Sequence, residues 1–79
     1  MPVVLREGPY TFVIYTREGA EPPHVHVRRD RNEAKFWLRT LGVADSGGFK
    51  PLELRRIARI LMAHKEQLLE EWYARHGRR

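Results

Sequence analysis

From Pro51 to about Ala74 the sequence carries one helical pattern, and it takes so much of a 79-residue chain that the rest can form only a small layer beneath it. On a 3.6-residue period Leu54, Ile57, Leu61, Leu68 and Trp72 fall on one stripe, flanked by Ala58, His64 and Leu69. Arg55, Arg56, Arg59, Glu66 and Glu70 occupy the opposite face. Pro51 suits a first helical turn, where its missing N–H costs nothing, and Glu53 complements the positive end of the helix dipole. Lys50 is a poor cap, and Gly77 ends the pattern. Such a helix spans roughly 36 Å at about 1.5 Å per residue, against roughly 20–23 Å for a strand of about six residues. It must therefore overhang, bend or break, and Lys65, which falls inside the apolar stripe, places that point near His64 and Lys65. An overhanging end would expose Leu68, Leu69, Trp72 and Tyr73, and exposed apolar surface of that kind marks a partner interface. A homodimer or a small cognate protein partner is the expectation.

The residues before the helix read as strands. Val3-Val4-Leu5, opening a segment from Met1 to Arg6, is a short edge strand stopped by the turn signal Gly8-Pro9. Tyr10 to Thr16 is dense in β-branched and aromatic residues, with Tyr10, Phe12 and Ile14 on one side and Thr11, Val13 and Tyr15 on the other. Arg17 to Pro23 is a loop, since Pro22 and Pro23 block helix and remove ladder donors. A hairpin follows, turning at Arg29-Asp30-Arg31-Asn32. Thr40 to Lys50, with Gly42, Gly47 and Gly48, reads as a connecting loop containing one helical turn. The expected fold is α+β: a small antiparallel sheet of about four strands covered on one face by the long C-terminal helix, with residues 1–79 forming a single domain.

Composition narrows the function classes. A hydrophobic fraction of 42% and a charged fraction of 32% describe a soluble globular chain. No apolar run approaches the roughly 20 residues that a membrane helix needs, and the opening residues lack a secretory leader pattern, so no membrane role and a cytoplasmic location are expected. The absence of cysteine excludes disulfides and thiolate metal sites. A formal net charge of +5 admits nucleic acid as a partner. Three arginine clusters carry it, at Arg28, Arg29 and Arg31, at Arg55, Arg56 and Arg59, and at Arg75, Arg78 and Arg79, so neither half of the chain is a basic arm.

Chemistry concentrates in the hairpin. Side chains alternate along a strand, which puts His24, His26 and Arg28 on one face and Val25 and Val27 on the other. On the returning strand Ala34, Phe36 and Leu38 form an apolar set, and Glu33, Lys35, Trp37 and Arg39 a polar one. Three readings of the histidine pair stand open. The plainest is a pair of half-buried rings hydrogen-bonded across the strand. A second is acid–base catalysis, with His24, His26 and Lys35 as the catalytic set: one imidazole takes the proton of an RNA 2′-hydroxyl, the other protonates the leaving oxygen, and Lys35 and Arg28 stabilise the phosphorane. The third is a metal half-site, which would need Glu33, Glu21, His64 or a symmetry mate to complete it. Two ligands are not a site, and neither a metal nor any other cofactor is expected. Arg28, Lys35 and Trp37 can alternatively form a nucleic-acid platform on which a base stacks while the cations hold phosphate.

The run Glu21-Pro22-Pro23-His24-Val25-His26-Val27, followed by Ala34-Lys35-Phe36-Trp37-Leu38, resembles a bacterial family of small proteins known only as a domain of unknown function. The opening segment and the helix, from Leu54-Arg55-Arg56-Ile57 to Trp72, are similar to it as well. The resemblance implies a bacterial protein encoded beside another small protein in a toxin–antitoxin-like pair, and it brings no catalytic residues. The chain departs from the family pattern at Arg39 to Ser46, where an acidic residue is expected straight after Trp37-Leu38, and at Lys50, where a serine cap is expected. The function expected is thus an interaction module for a protein partner, with a metal-independent ribonuclease-like toxin using His24 and His26 as the alternative.

Overall fold

In a computed structural model, residues 3–77 can be described. The expected strand start at Met1 and the two arginines Arg78 and Arg79 lie outside them. Five strands run β1 (Val3–Glu7), β2 (Tyr10–Val13), β3 (His24–Arg29), β4 (Asn32–Trp37) and β5 (Val43–Asp45), and the helix α1 (Pro51–His76) follows. They form one antiparallel sheet in sequence order, so every connection joins neighbours. The sheet has five strands, not about four. The extra strand, β5, lies in the segment expected to be a loop with a helical turn; it has three exposed residues and so no apolar alternation to announce it.

Two positions show how the turns are made. Arg29 pairs with Asn32 across the two-residue turn Asp30-Arg31, and Asp30 takes the left-handed backbone (φ 55°) that aspartate tolerates better than most residues. After β5 the chain passes so close to β4 that a Cβ on Gly47 would lie 1.8 Å from the Glu33 carbonyl oxygen, and Gly47 has φ 58°. Only glycine fits there.

Alternation sorts the sheet into two faces as expected. Phe12 pairs with Val27, Val27 with Ala34, and Val25 with Phe36, and these join Tyr10, Ile14, Leu38 and Phe49 under Ile57, Leu61, Leu68 and Trp72 of α1. On the other face Val13 pairs with His26, His26 with Lys35, His24 with Trp37, and Arg28 with Glu33.

The helix runs unbroken to His76 and its end is covered, so the exposed surface expected at Leu68, Leu69, Trp72 and Tyr73 is corrected accordingly. Leu68 and Trp72 are buried, while Leu69 and Tyr73 pack half-buried against the same core. Lys65 escapes the apolar stripe by extending its amine to the Arg39 carbonyl at 2.6 Å. At the helix start Lys50 supplies no side-chain cap. Glu53 works there instead: its Oε2 accepts from Tyr10 at 2.8 Å and from Arg29 at 2.6 Å, tying the first turn to β2 and β3.

Two predictions follow from this packing. Leu68→Ala should cost about 2–5 kcal/mol in urea unfolding, as for a fully buried leucine; a cost under about 1 kcal/mol would return Leu68 to the surface. The Glu53 carboxyl is held below its ordinary value by the Tyr10 hydroxyl, against an opposing effect of desolvation, and further by Arg29. Its stabilisation is therefore present above that ordinary value and is lost as pH falls through the depressed one. The melting-temperature gap between the wild type and Glu53→Gln should close across that acid range, and a gap constant with pH would exclude the linkage.

Candidate functional site

The histidine face is organised by a residue outside the hairpin. The 3₁₀ turn Thr16–Glu18 sits in the loop between β2 and β3, and it aims Glu18 at the start of β3. Glu18 Oε1 lies 2.7 Å from His24 Nε2 and 2.7 Å from His26 Nε2. Burial raises the Glu18 carboxyl, but hydrogen bonds from both rings outweigh it and hold the group below its ordinary value. His24 is 1% exposed and His26 12%, so two nearly enclosed rings share one half-buried carboxylate.

The far nitrogens of both rings are also engaged. His24 Nδ1 lies 2.9 Å from the Pro22 carbonyl, which can only accept, so this nitrogen carries the hydrogen. The rigid Pro22-Pro23 pair holds that carbonyl in place. His26 Nδ1 faces Glu33 Oε2 at 3.2 Å. Glu33 is in turn fixed by Arg28, whose Nε donates to Oε1 at 2.9 Å while its terminal nitrogen donates to the Tyr15 hydroxyl at 2.6 Å. Tyr15 packs edge-on against His26 with centroids 4.6 Å apart.

Of the residues expected to act here, His24 and His26 converge and the cations are spoken for. Lys35 donates to Glu21 and lies over the Trp37 ring at 4.9 Å. Trp37 is half-buried and meets His24 edge-on at 5.8 Å, so it serves the histidine more than an open stacking platform. Among the acids expected to complete a site, Glu33 borders His26, and Glu21 stands 3.9 Å from His24 Nδ1. His64 belongs elsewhere, 3.5 Å from Glu7. Glu18 was missed because a loop carries no periodicity from which to read where its side chains reach. The available signal was an acid placed shortly before the double proline, and that signal is weak.

Helix α1 closes the same end of the sheet. Trp72 packs on His24 at 4.8 Å between centroids and on His76 at 3.9 Å, and His76 Nε2 donates to the Tyr15 carbonyl at 3.1 Å. A cavity of about 540 Å³ opens beside this contact between the Gly19–Pro23 segment, Arg39 and the last helical turns.

A family model described as a domain of unknown function, DUF4160, matches residues 10–73. The chain belongs to the DUF4160 family. That span takes in Glu18, both histidines, the whole β3–β4 hairpin and most of α1. No curated protein and no solved structure matches the chain.

Gly19 gives this end of the DUF4160 domain a direct test. A Cβ there would lie 2.6 Å from His76 Nδ1, and the ring is pinned by Trp72 and the Tyr15 carbonyl. Gly19→Ala should displace His76, shift its ring signals in NMR spectra, and cost about 0.5–1.5 kcal/mol, the worth of the lost hydrogen bond. Unmoved ring signals would disprove the docking.

Proposed function

We propose that this domain is a protein-interaction module that docks an acidic partner on the outward face of α1. The observation that carries it is one exposed stripe, Leu52, Arg55, Arg56, Arg59 and Met62, spaced so that all five share a side of the helix. Arg55 and Arg56 stand four and three residues before Arg59, so their charges repel and weaken the isolated helix by a few tenths of a kcal/mol per pair. None of the three makes a hydrogen bond or salt bridge among the described residues, and Arg56 interacts with Glu53 only through space. Arg28, Arg29, Lys35 and Arg75, by contrast, each hold a carboxylate.

Leu52, 54% exposed, and Met62, 64% exposed, bracket the arginines. Arginine and methionine are enriched in protein interfaces. A single-strand nucleic-acid footprint would instead add free aromatic rings to its cations. The partner that fits is an acidic protein surface with an apolar groove for the helix. The toxin–antitoxin-like gene pair that the family resemblance implies would make it the small protein encoded alongside. The alternative of metal-free RNA cleavage by His24, His26 and Lys35 has less support, since the rings are enclosed and Lys35 and Arg28 already hold Glu21 and Glu33.

The test is a calorimetric titration of the purified domain with the product of the neighbouring gene. The double change Arg55→Glu, Arg59→Glu and the single change Met62→Asp should each weaken binding by about tenfold or more, that is by ~1.4 kcal/mol or more. Arg31→Glu, at the hairpin tip, should leave it within about twofold, as expected of an isolated surface charge. Equal affinities for all of these proteins would reject the helix face.

A further inference from the structure

We infer that Glu18, His24 and His26 form a binding site for one divalent transition-metal ion, with Pro22 and Glu33 as the outer groups that orient the two rings. The inference is independent of the helix-face reading. The Pro22 carbonyl can only accept, so His24 Nδ1 carries the hydrogen, and the Glu33 carboxylate 3.2 Å from His26 Nδ1 favours the same tautomer there. In a neutral imidazole the other nitrogen then bears a lone pair. Both lone pairs would point at one anionic oxygen, Glu18 Oε1, from 2.7 Å.

Two arrangements resolve that conflict. Each ring can carry a second proton, which places two cations, their centroids 5.4 Å apart, on a single carboxylate in a nearly enclosed setting. Or one cation can sit where the three atoms converge. The second resolves it with one ion and no repulsion between rings. It also uses the features of the cluster: the ligand atoms lie within 4.8 Å of one another, His24 gives its far N–H to the Pro22 carbonyl, and the far nitrogen of His26 faces the Glu33 carboxylate, the kind of outer partner that metal-bound histidines almost always have.

Bonds of about 2.0–2.1 Å to a tetrahedral ion separate the ligand atoms by roughly 3.3 Å. On the carboxylate side, insertion therefore needs Glu18 to retreat by about half an ångström from each ring. Glu18 can do so by turning its side chain, which is 33% exposed, whereas the rings are fixed on β3. Two imidazole nitrogens and one carboxylate oxygen suit zinc and its first-row neighbours, and three protein ligands leave a coordination position for water. Glu33 is the more informative of the outer groups. It touches no metal position, and it owes its orientation to Arg28 and through it to Tyr15.

The experiment is calorimetric titration of the untagged full chain, stripped with a chelator, with zinc chloride, and in parallel with cobalt chloride read by visible absorbance. One ion per chain is expected, with cobalt bands of a low-coordinate nitrogen–oxygen site. Glu18→Gln and His26→Gln should each weaken zinc binding by about a hundredfold or more, and Glu33→Gln by about 10–100-fold through the orienting hydrogen bond. His64→Gln, outside the cluster, should change nothing. Circular dichroism of each variant separates loss of a ligand from loss of fold, and Glu33→Gln, which alters no ligand, supplies a test should His26→Gln unfold. Absence of binding at stoichiometric zinc, or binding indifferent to Glu18→Gln and Glu33→Gln, would overturn the inference and leave two histidine rings hydrogen-bonded to one carboxylate.

Discussion

The last turns of α1 need something to rest on, and most of this structure follows from what was found for them. Strands of four to six residues cannot underlie a 26-residue helix from end to end. The segment between β2 and β3 fills the gap. Its backbone meets His76 through the Tyr15 carbonyl and the bare α-carbon of Gly19, and Trp72 lies between His76 and His24. A loop recruited as a floor for the helix is thereby held rigid, and the same constraint positions Glu18 against the histidines. Helix docking and site geometry are one packing problem.

Charge on the sheet face is arranged by the same economy. Glu21 takes Lys35, Glu33 takes Arg28, and Glu18 takes both histidines, so acids and bases are matched along the hairpin and its loop. Every buried side-chain nitrogen and oxygen among the described residues has a hydrogen-bond partner. A network satisfied this completely is rigid, because moving one member orphans another in a low-dielectric setting. That matching fixes the two histidines on β3 before an ion arrives and leaves the part-exposed Glu18 side chain as the ligand that adjusts. It suits phosphate capture poorly, since cations already engaged with carboxylates have little charge left to offer.

How much of this could be read from the sequence depends on whether periodicity carried it. The register that sets His24 opposite Trp37 and His26 opposite Lys35 follows from strand alternation, and the core stripe of α1 follows from the 3.6-residue period. β5 was invisible because three exposed residues at an edge bury nothing and so display no pattern. Coverage of Leu68 and Trp72 was misjudged because the length comparison treated strands as the only possible floor and left the loop out. Glu18 was missed for the same reason. Its partner atoms lie six and eight residues away around a turn whose direction is set by tertiary packing rather than by local sequence.

The two proposed surfaces lie on opposite sides of the hydrophobic layer. Leu52, Arg55, Arg59 and Met62 face outward from α1, while His24, His26 and Glu18 lie beyond the sheet, with Phe12, Val25, Val27, Phe36, Ile57 and Leu61 packed between. A partner seated on the helix would therefore leave the site open, and an ion at the histidines would leave the arginine stripe unchanged in charge and exposure. The route by which either could sense the other is Trp72, which packs on His24 from the helix. Trp72 lies near the end of α1 remote from Leu52, so a shift there would have to travel as a rigid-body tilt of the whole helix. A close-packed core resists such a tilt, and the two sites are best regarded as energetically separate parts of one small domain.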